Sequence, residues 1–193
     1  MMKNTFALAA LGLIGMAALA PTGCAPRGER ITLRSEHVAI SLRLPPGWVE
    51  EDRTENSMVI FSEEADPENR GSITIYPADG KDLAAWTDDL LKQSAQMAAL
   101  GEALGKAVEH LAGEQAGAQS SQAFAQKLVS RTQRKVGSRD AIELVEESGG
   151  KKVITVLVKE GDEVWVTFFA SRAGRWEDNE PLFRRSLDSL SLR

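Results

Sequence analysis

Cysteine and histidine are nearly missing from this chain of 193 residues, which contains one cysteine and two histidines. A single cysteine cannot form an intramolecular disulfide, so the fold must be stabilised by packing. Neither His37 nor His110 has a second histidine or a cysteine at ligand spacing, which argues against a structural zinc site. The sequence therefore predicts no bound metal and no cofactor.

The chain also lacks a basic excess and the motifs of common enzyme classes. Its formal net charge is −5, whereas nucleic-acid binding needs a clustered basic surface. A serine-hydrolase elbow, a P-loop and a dinucleotide-binding glycine motif are all absent from the sequence. These absences argue against a nucleic-acid partner, and they make an enzyme the least favoured class of function.

A positively charged start followed by an apolar segment indicates a secretory signal. Lys3 is the only charged residue before Arg27, and "TFALAALGLIGMAALA" (5–20) has no ionisable side chain. This run is shorter than the roughly 20 residues that a membrane-spanning helix needs. A cleaved signal peptide over residues 1–23 is therefore the stronger interpretation.

The one cysteine lies at the end of this segment. "PTGC" (21–24) resembles a bacterial lipobox, in which small residues precede a cysteine that receives a diacylglyceryl group, although Pro21 stands where an aliphatic residue is usual. The alternative is an ordinary signal peptide with an incidental cysteine, but a lone thiol in an oxidising compartment is a liability unless it is modified. We expect lipid attachment at Cys24 and a protein that is secreted across the bacterial inner membrane and anchored in the cell envelope.

The rest of the chain has the size and composition of one domain. Cleavage before Cys24 leaves 170 residues, a usual length for a single domain. Residues 24–30 are interpreted as a tether, because "APRGER" (25–30) is rich in proline, glycine and charge. The domain then extends over 31–193.

Alternating apolar residues predict short strands before residue 79. "ITLRS" (31–35) alternates, and "VAISLRL" (38–44) places every second side chain on one apolar face. "SMVIFSE" (57–63) and "SITIYPA" (72–78) predict two further strands. The turn-forming residues of "EADPENRG" (64–71) predict a loop between them.

From Lys81 the apolar period is that of a helix. One apolar stripe runs from Leu83 to Leu111, and Asp79 or Asp82 could cap its start. A single helix of this length would measure about 48 Å, whereas a compact domain of this size has a radius of gyration of about 15–16 Å.

Two glycines offer a place to divide this helix. Gly101 and Gly105 each cost about 1 kcal/mol relative to alanine in a helix interior. The sequence therefore predicts two helices, 81–99 and 102–112. The low-complexity segment "GEQAGAQSSQAFAQ" (113–126) lacks periodic apolar residues and is predicted to be a mobile insert.

Four strands and a final helix are predicted after this insert. The predicted strands are "KLVSRTQRKV" (127–136), "DAIELVEE" (140–147), "KVITVLVKE" (152–160) and "EVWVTFFAS" (163–171). The last two are apolar on both faces, so we expect them in the middle of a sheet with helices on both sides. The final helix should begin at Asp178 or Asn179.

Hairpin connections join most of these strands, which predicts an α+β fold with an antiparallel sheet and helices packed on its faces. Three phrases sharpen this expectation: "VAISLRLPPGW" (38–48), "GSRDAIELVEE" (137–147) and "EVWVTFFAS…EPLFRRSLDSLSL" (163–192). They resemble landmarks of PsbP-like domains, and the resemblance covers roughly residues 31–192. It implies an α/β/α sandwich that serves in binding, since no branch of that family is known mainly for catalysis.

Candidate contact residues are few. Arg131, Arg134 and Lys135 form a basic stretch that could meet an acidic partner or anionic lipid headgroups. Charge on an edge strand also prevents pairing with other chains, and we favour this structural interpretation. Trp176, in "AGRWEDN", is the best single candidate for an exposed contact residue.

Acidic residues cluster at 50–52, 63–66 and 178–180. Such clusters could hold calcium. Solvated loops and a helix N-terminus, where negative charge is favourable, explain them better. The sequence therefore does not assign a cation site.

The favoured function is that of a membrane-anchored envelope lipoprotein acting as a non-catalytic binding or complex-assembly module with a protein partner. The alternative is a carrier of small molecules or lipids, which an apolar cavity beneath the 81–112 segment would favour. An enzyme would require a cleft with a carboxylate or histidine of strongly perturbed pKa.

If Cys24 carries the lipid, Cys24→Ser should leave the protein unprocessed or soluble, because the acyl acceptor is lost. Fractionation of the envelope and intact-mass measurement of the mature protein test this, with the wild-type chain expected to carry acyl mass. Unmodified mature protein that begins at another residue would contradict the assignment.

Overall fold

The structure, a computed structural model, describes residues 28–112 and 126–193. Most of these residues belong to two antiparallel β-sheets. The smaller sheet has three strands in the order β1-β2-β10, which are β1 (Arg30–Arg34), β2 (Ala39–Arg43) and β10 (Ser191–Leu192). The predicted signal peptide (1–23), Cys24 and most of both the tether and the insert lie outside the described residues.

The larger sheet has seven strands. In spatial order they are β3 (Trp48–Thr54), β4 (Met58–Glu63), β5 (Asp66–Pro77), β9 (Glu163–Arg172), β8 (Lys151–Glu160), β7 (Arg139–Ser148) and β6 (Gln126–Val136). Two α-helices accompany the sheets, α1 (Leu83–Ala112) and α2 (Trp176–Asp188), and a short 3-10 turn precedes α2. Within the described residues, neither helix is both long and apolar enough to cross a membrane.

Strand β9 lies in the middle of the larger sheet and turns alternate side chains to its two faces. Trp165 and Phe169 are buried on one face, in a core that also contains α2 and the smaller sheet. Val164 is buried on the other face, in a second core that includes the first half of α1. The two helices therefore lie on opposite faces, which confirms the predicted α+β arrangement.

Five aromatic rings form the centre of the first core. They come from β3 (Trp48), β4 (Phe61), β9 (Phe169) and α2 (Trp176 and Phe183). The rings of Phe169 and Phe183 stack with centroids 4.9 Å apart, and Trp48 stands edge-on to each of them at 5.4 Å. Such pairs contribute about 0.5–1.5 kcal/mol beyond area burial, so they attach α2 firmly to the sheet.

The smaller sheet covers the same face of the larger sheet as α2. Its inward side chains, which pair as Ile31 with Leu42 and Leu33 with Ile40, are buried in the first core. The end of the chain completes this sheet, because Ala39 and Arg193 exchange two backbone hydrogen bonds of 2.9 Å. The alternation predicted for 38–44 is therefore confirmed.

Helix α1 is unbroken over 30 residues, so the prediction of two helices, 81–99 and 102–112, is wrong. Gly101 is buried and follows Leu90 by three helical turns on the side that faces the sheet. A residue without a side chain allows close packing at that position. The helix is about 45 Å long, whereas the ten-residue strands are about 33 Å long. Helix α1 therefore extends beyond the end of the strands and does not break.

The predicted caps are confirmed for α1 and wrong for α2. The carboxylate of Asp82 accepts a hydrogen bond of 2.8 Å from the backbone N–H three residues later. A 3-10 turn runs directly into α2, whose N-cap is Arg175 rather than Asp178 or Asn179. The Asn179 side chain is instead buried and donates a hydrogen bond of 2.9 Å to Ser171.

Strand β3 was not predicted from the sequence. Every side chain after Trp48 in this strand is exposed, so no apolar alternation marks it. Strand β5 begins at Asp66, inside the predicted 64–71 loop, because its first residues pair with β4 through an irregular register. Both differences concern polar segments, in which no alternation of apolar residues marks a strand.

Phe168 and Phe169 test how the two faces of β9 are covered. The sequence predicted burial of both rings, but the structure buries Phe169 completely and leaves Phe168 half-buried. Phe169→Ala should lower the free energy of unfolding by about 3–5 kcal/mol, since it empties an aromatic core site. Phe168→Ala should cost clearly less. Chemical denaturation of both variants measures the difference, and equal losses would show that the Phe168 face is covered as well.

Candidate functional site

The side of the larger sheet that carries α1 is only half covered. Helix α1 packs over β6, β7 and β8, and no other described helix or strand lies on this side. The remaining strands present two cross-strand rows here, Met58–Thr74–Val166 and Ile60–Ser72–Phe168. All of these side chains are half-buried except Ser72, which is buried. The rows form an open floor of mixed apolar and hydroxyl side chains.

The side of α1 that contains Gln93 also carries an apolar row. Gln93 lines a cleft together with Val166 of the floor, so this side of the helix faces the open rows. Met97, Leu100 and Leu104 follow Gln93 on the same side at helical spacing. Their exposed fractions are 51%, 52% and 46%. We name the two floor rows and these three helix residues the α1 groove.

A cleft of about 370 Å³ lies at the N-terminal end of the α1 groove, and we name it the head cleft. Tyr76 and Trp86 form its aromatic wall, with ring centroids 5.7 Å apart. The indole N–H of Trp86 donates a hydrogen bond of 3.2 Å to the carbonyl oxygen of Pro77, which orients the ring. Tyr76 is 44% exposed, so its ring is accessible.

Charged and amide side chains form the polar wall of the head cleft. Asp79, Lys81, Asp89 and Gln93 line it, and Lys81 binds Asp89 with an N–O distance of 2.9 Å. The hydrogen bond and charge of Lys81 lower the pKa of Asp89, and Asp89 in turn raises the pKa of Lys81. Both groups therefore remain charged at neutral pH.

Several solved structures share this architecture, although no protein-family model and no curated protein matches the chain. Cyanobacterial PsbP (CyanoP) from Synechocystis sp. PCC 6803 has a TM-score of 0.56 at 15% identity, over 96% of this chain and 99% of that chain. The protein has a PsbP-like fold. PA94, a Pseudomonas aeruginosa protein of unknown function, has a TM-score of 0.52 at 16% identity, over 86% of this chain and 99% of that chain.

These likenesses concern the fold alone, because the sequence identities are low. LpqN of Mycobacterium tuberculosis, which is involved in cell envelope biogenesis, is a weaker match with a TM-score of 0.44 at 11% identity, over 85% of this chain and 90% of that chain. The likeness to CyanoP confirms the PsbP-like fold that the sequence predicted. Function has to be inferred from the residues of this chain.

In this PsbP-like fold the basic stretch forms part of β6, an edge strand of the larger sheet. Arg131 binds Asp88 of α1 at 2.5 Å, and Lys135 binds Asp140 at 2.6 Å. These ion pairs agree with the structural interpretation, in which charge protects an edge strand. A contact between Arg131 or Lys135 and a partner stays a prediction.

Arg134 belongs to a partly buried ion network. Its guanidinium binds the buried carboxylate of Glu143 at 2.7 Å and Asp188 of α2 at 2.9 Å. Arg184 of α2 binds the other oxygen of Glu143 at 2.7 Å. The network connects β6, β7 and α2, so these contacts give Arg134 a role within the domain.

Trp176 is not exposed, contrary to the sequence prediction. Only 5% of its surface is accessible, and its ring stands edge-on to Phe183 at 6.1 Å. As the first residue of α2 it turns into the aromatic core. The structure therefore removes Trp176 from the candidate contact surface.

The acidic clusters do not assemble into a metal site within residues 28–112 and 126–193. Their carboxylates instead bind neighbouring side chains. Glu51 accepts a hydrogen bond from Ser62, and Glu63 accepts one from Asn69, both at 2.5 Å. These contacts belong to the local structure of β3, β4 and β5.

The α1 groove was missed by sequence reasoning. Its helix residues were assigned to one continuous buried stripe, and periodicity cannot tell which part of a stripe finds a partner. The α1 groove could have been located from the length of the predicted helical segment, because α1 is longer than the strands that it covers. Tyr76 and Trp86 lie ten residues apart on different elements, and only the turn between them brings their rings together.

A second cleft lies at the other end of the sheet, between α1 and the turn that joins β7 and β8, with a volume of about 840 Å³. Glu146 lies on the same side of the sheet and is 8% exposed. Gln126, which lines this cleft, donates a hydrogen bond of 3.2 Å to Glu146. Burial raises the pKa of Glu146, and the hydrogen bond offsets this only in part.

Glu146→Gln should therefore stabilise the protein at neutral pH. A carboxyl group whose pKa is raised by folding costs stability as pH rises above its unfolded-state pKa, and the cost is complete above the folded-state pKa. The gain from the substitution should disappear at acidic pH, where Glu146 is protonated in both states. Denaturation across this pH range measures it, with Glu147→Gln, which removes a carboxylate that is 44% exposed, as the control. A gain that is independent of pH would contradict this account.

Proposed function

We propose that this protein is a membrane-anchored envelope lipoprotein whose PsbP-like domain is a non-catalytic binding or complex-assembly module, with the α1 groove as the contact surface for a partner protein. The observation that carries the proposal is the row Met97, Leu100 and Leu104, three adjacent apolar side chains that are about half exposed. Contiguous apolar patches on soluble domains are typical of interaction sites. Covering the exposed half of each side chain would contribute about 1 kcal/mol apiece.

The floor beside this row extends the apolar surface. Phe168, Val166 and Ile60 are half-buried side chains of the open sheet, and a partner that rests on the helix row would also reach them. Ser72 and Thr74 lie between them and supply hydroxyl groups for polar contacts. A mixed surface of this kind is typical of protein interfaces, in which apolar anchors alternate with hydrogen-bonding groups.

The packing beneath α1 favours surface docking over the alternative function, a carrier of lipids or small molecules. A carrier needs an enclosed apolar cavity, but Ile142, Leu144 and Leu157 fill the space under the first half of the helix together with Leu90 and Leu91. The two clefts beside α1 that described residues line are open to solvent. Of these two clefts, the head cleft is the one with an aromatic wall.

The position of the tether supports a protein as the occupant. Between Cys24 and Arg30 the chain can extend by at most about 22 Å. Strand β1 belongs to the layer opposite α1, so a lipid on Cys24 would keep that layer next to the bilayer. The α1 groove would then face away from the membrane, where a partner protein can reach it.

Photocrosslinking in native envelopes tests the contact surface. A benzoylphenylalanine in place of Leu100 should crosslink to one defined protein, whereas the same group at Ala95, an exposed residue on the opposite side of the same helix, should not. Leu100→Glu should abolish co-purification of that protein, and Ala95→Glu should leave it unchanged. Both positions are exposed, so neither substitution should shift the free energy of unfolding by more than about 0.5 kcal/mol.

Two outcomes would contradict the proposal. Equal crosslinking from Leu100 and Ala95 would show that the groove is not the contact surface. Crosslinks to lipid alone would favour the carrier function instead.

A further inference from the structure

We propose that the head cleft binds a saccharide of one or two pyranose rings. This site goes beyond the protein contact proposed for the α1 groove. Its walls combine aromatic faces with hydrogen-bond donors and acceptors. The observations that carry it are the accessible ring of Tyr76, the oriented indole of Trp86, and the side chains of Lys81, Asp89 and Gln93 beside them.

The aromatic wall fits the apolar face of a sugar ring. The C–H groups of a pyranose carry a small positive charge and pack on the electron-rich face of an aromatic ring. Tyr76 is 44% exposed, and Trp86 is the one tryptophan that is not buried, since Trp48, Trp165 and Trp176 lie in the first core. The hydrogen bond from Trp86 to the carbonyl oxygen of Pro77 fixes the indole before a ligand arrives, which reduces the entropy lost on binding.

The polar wall fits hydroxyl groups, which both donate and accept hydrogen bonds. Lys81 donates, Asp89 accepts, and the Gln93 amide does both. Among the described residues, no side chain forms a hydrogen bond with the Gln93 amide, so it is available to a ligand.

The charges of the cleft favour a neutral ligand. Lys81 and Asp89 already form an ion pair of 2.9 Å, and Lys92 is a second partner of Asp89 at 3.4 Å. A charged ligand would have to compete with these pairs. The additional carboxylate of Asp79 lines the same cleft and disfavours an anion such as phosphate.

The size of the cleft limits the ligand. Its volume of about 370 Å³ lies near the lower end of the range for small-molecule sites, which is about 300–1,000 Å³. One or two sugar rings fit such a volume, and a long glycan would extend out of it. The sugar can come from a soluble or polymeric glycan or from the headgroup of a glycolipid, and the two sources differ in whether an acyl chain adds affinity.

Binding is followed by NMR on the ¹⁵N-labelled protein. The indole N–H resonance of Trp86, which is assigned by its absence from the spectrum of the Trp86→Phe variant, reports on this site. Methyl β-glucoside, N-acetylglucosamine and maltose are titrated to about 50 mM, which is well above a millimolar dissociation constant. At least one should shift the Trp86 and Gln93 side-chain resonances and leave the three buried tryptophans unchanged. Tyr76→Ala should weaken that binding about tenfold, whereas Tyr76→Phe should retain it.

The remaining arms separate this site from the other possibilities. Octyl glucoside below its micellar concentration should bind like methyl glucoside if the source is a glycan, and more tightly if the source is a glycolipid. Leu100→Glu should leave saccharide binding unchanged, because Leu100 belongs to the α1 groove. N-acetylarginine amide and inorganic phosphate serve as a cationic and an anionic probe. The proposal is overturned if no saccharide shifts the Trp86 resonance, if Tyr76→Ala has no effect on binding, or if only one of these charged probes shifts the Trp86 resonance.

Discussion

The aromatic cluster between the larger sheet and α2 is the interaction on which the rest of this structure depends. It joins Trp48 and Phe61, near the start of the domain, to Phe169 and Phe183, near its end. A domain of this size is stable by only about 5–15 kcal/mol, and the single cysteine allows no disulfide within the chain. Packing of these rings therefore brings together α2, the strands of the larger sheet and, through the same core, the smaller sheet. The C-terminal residues then pair with β2, so the first and last segments of the domain stabilise each other.

The two faces of the larger sheet are covered unequally, and this asymmetry creates the candidate site. One face meets α2 and the smaller sheet, and the other meets α1 alone among the described elements. A helix is about 10–12 Å wide with its side chains, so a single helix covers two or three strands spaced about 4.8 Å apart. The β3-β4-β5 half of the sheet therefore stays open on that side. The α1 groove and the head cleft both lie along the boundary between covered and open strands.

Charge has mainly a structural role in the part of the chain that the structure describes. Glu143 is buried between Arg134 and Arg184, and without these two arginines its carboxylate would be an uncompensated charge in a low-dielectric environment. The network fixes the position of α2 relative to the edge strand β6. Residues that form a basic patch in the sequence are thus distributed among several carboxylates in the fold. The accessible apolar side chains Met97, Leu100 and Leu104 lie on α1, outside this network.

The sequence by itself determined the fold class, most of the strands and the two helical regions, because burial imposes a local period on residues such as 38–44 and 163–171. It also carried the landmarks of the PsbP-like fold. It could not reveal β3, whose exposed side chains have no period, or the continuity of α1 through Gly101, which depends on the sheet beneath the helix. Tertiary structure alone decided that Trp176 is buried, that Arg134 meets Asp188 54 residues away, and that Leu100 is exposed while Leu90 is packed. Periodicity records which side chains can be buried, whereas the register and length of distant elements decide which of them are covered.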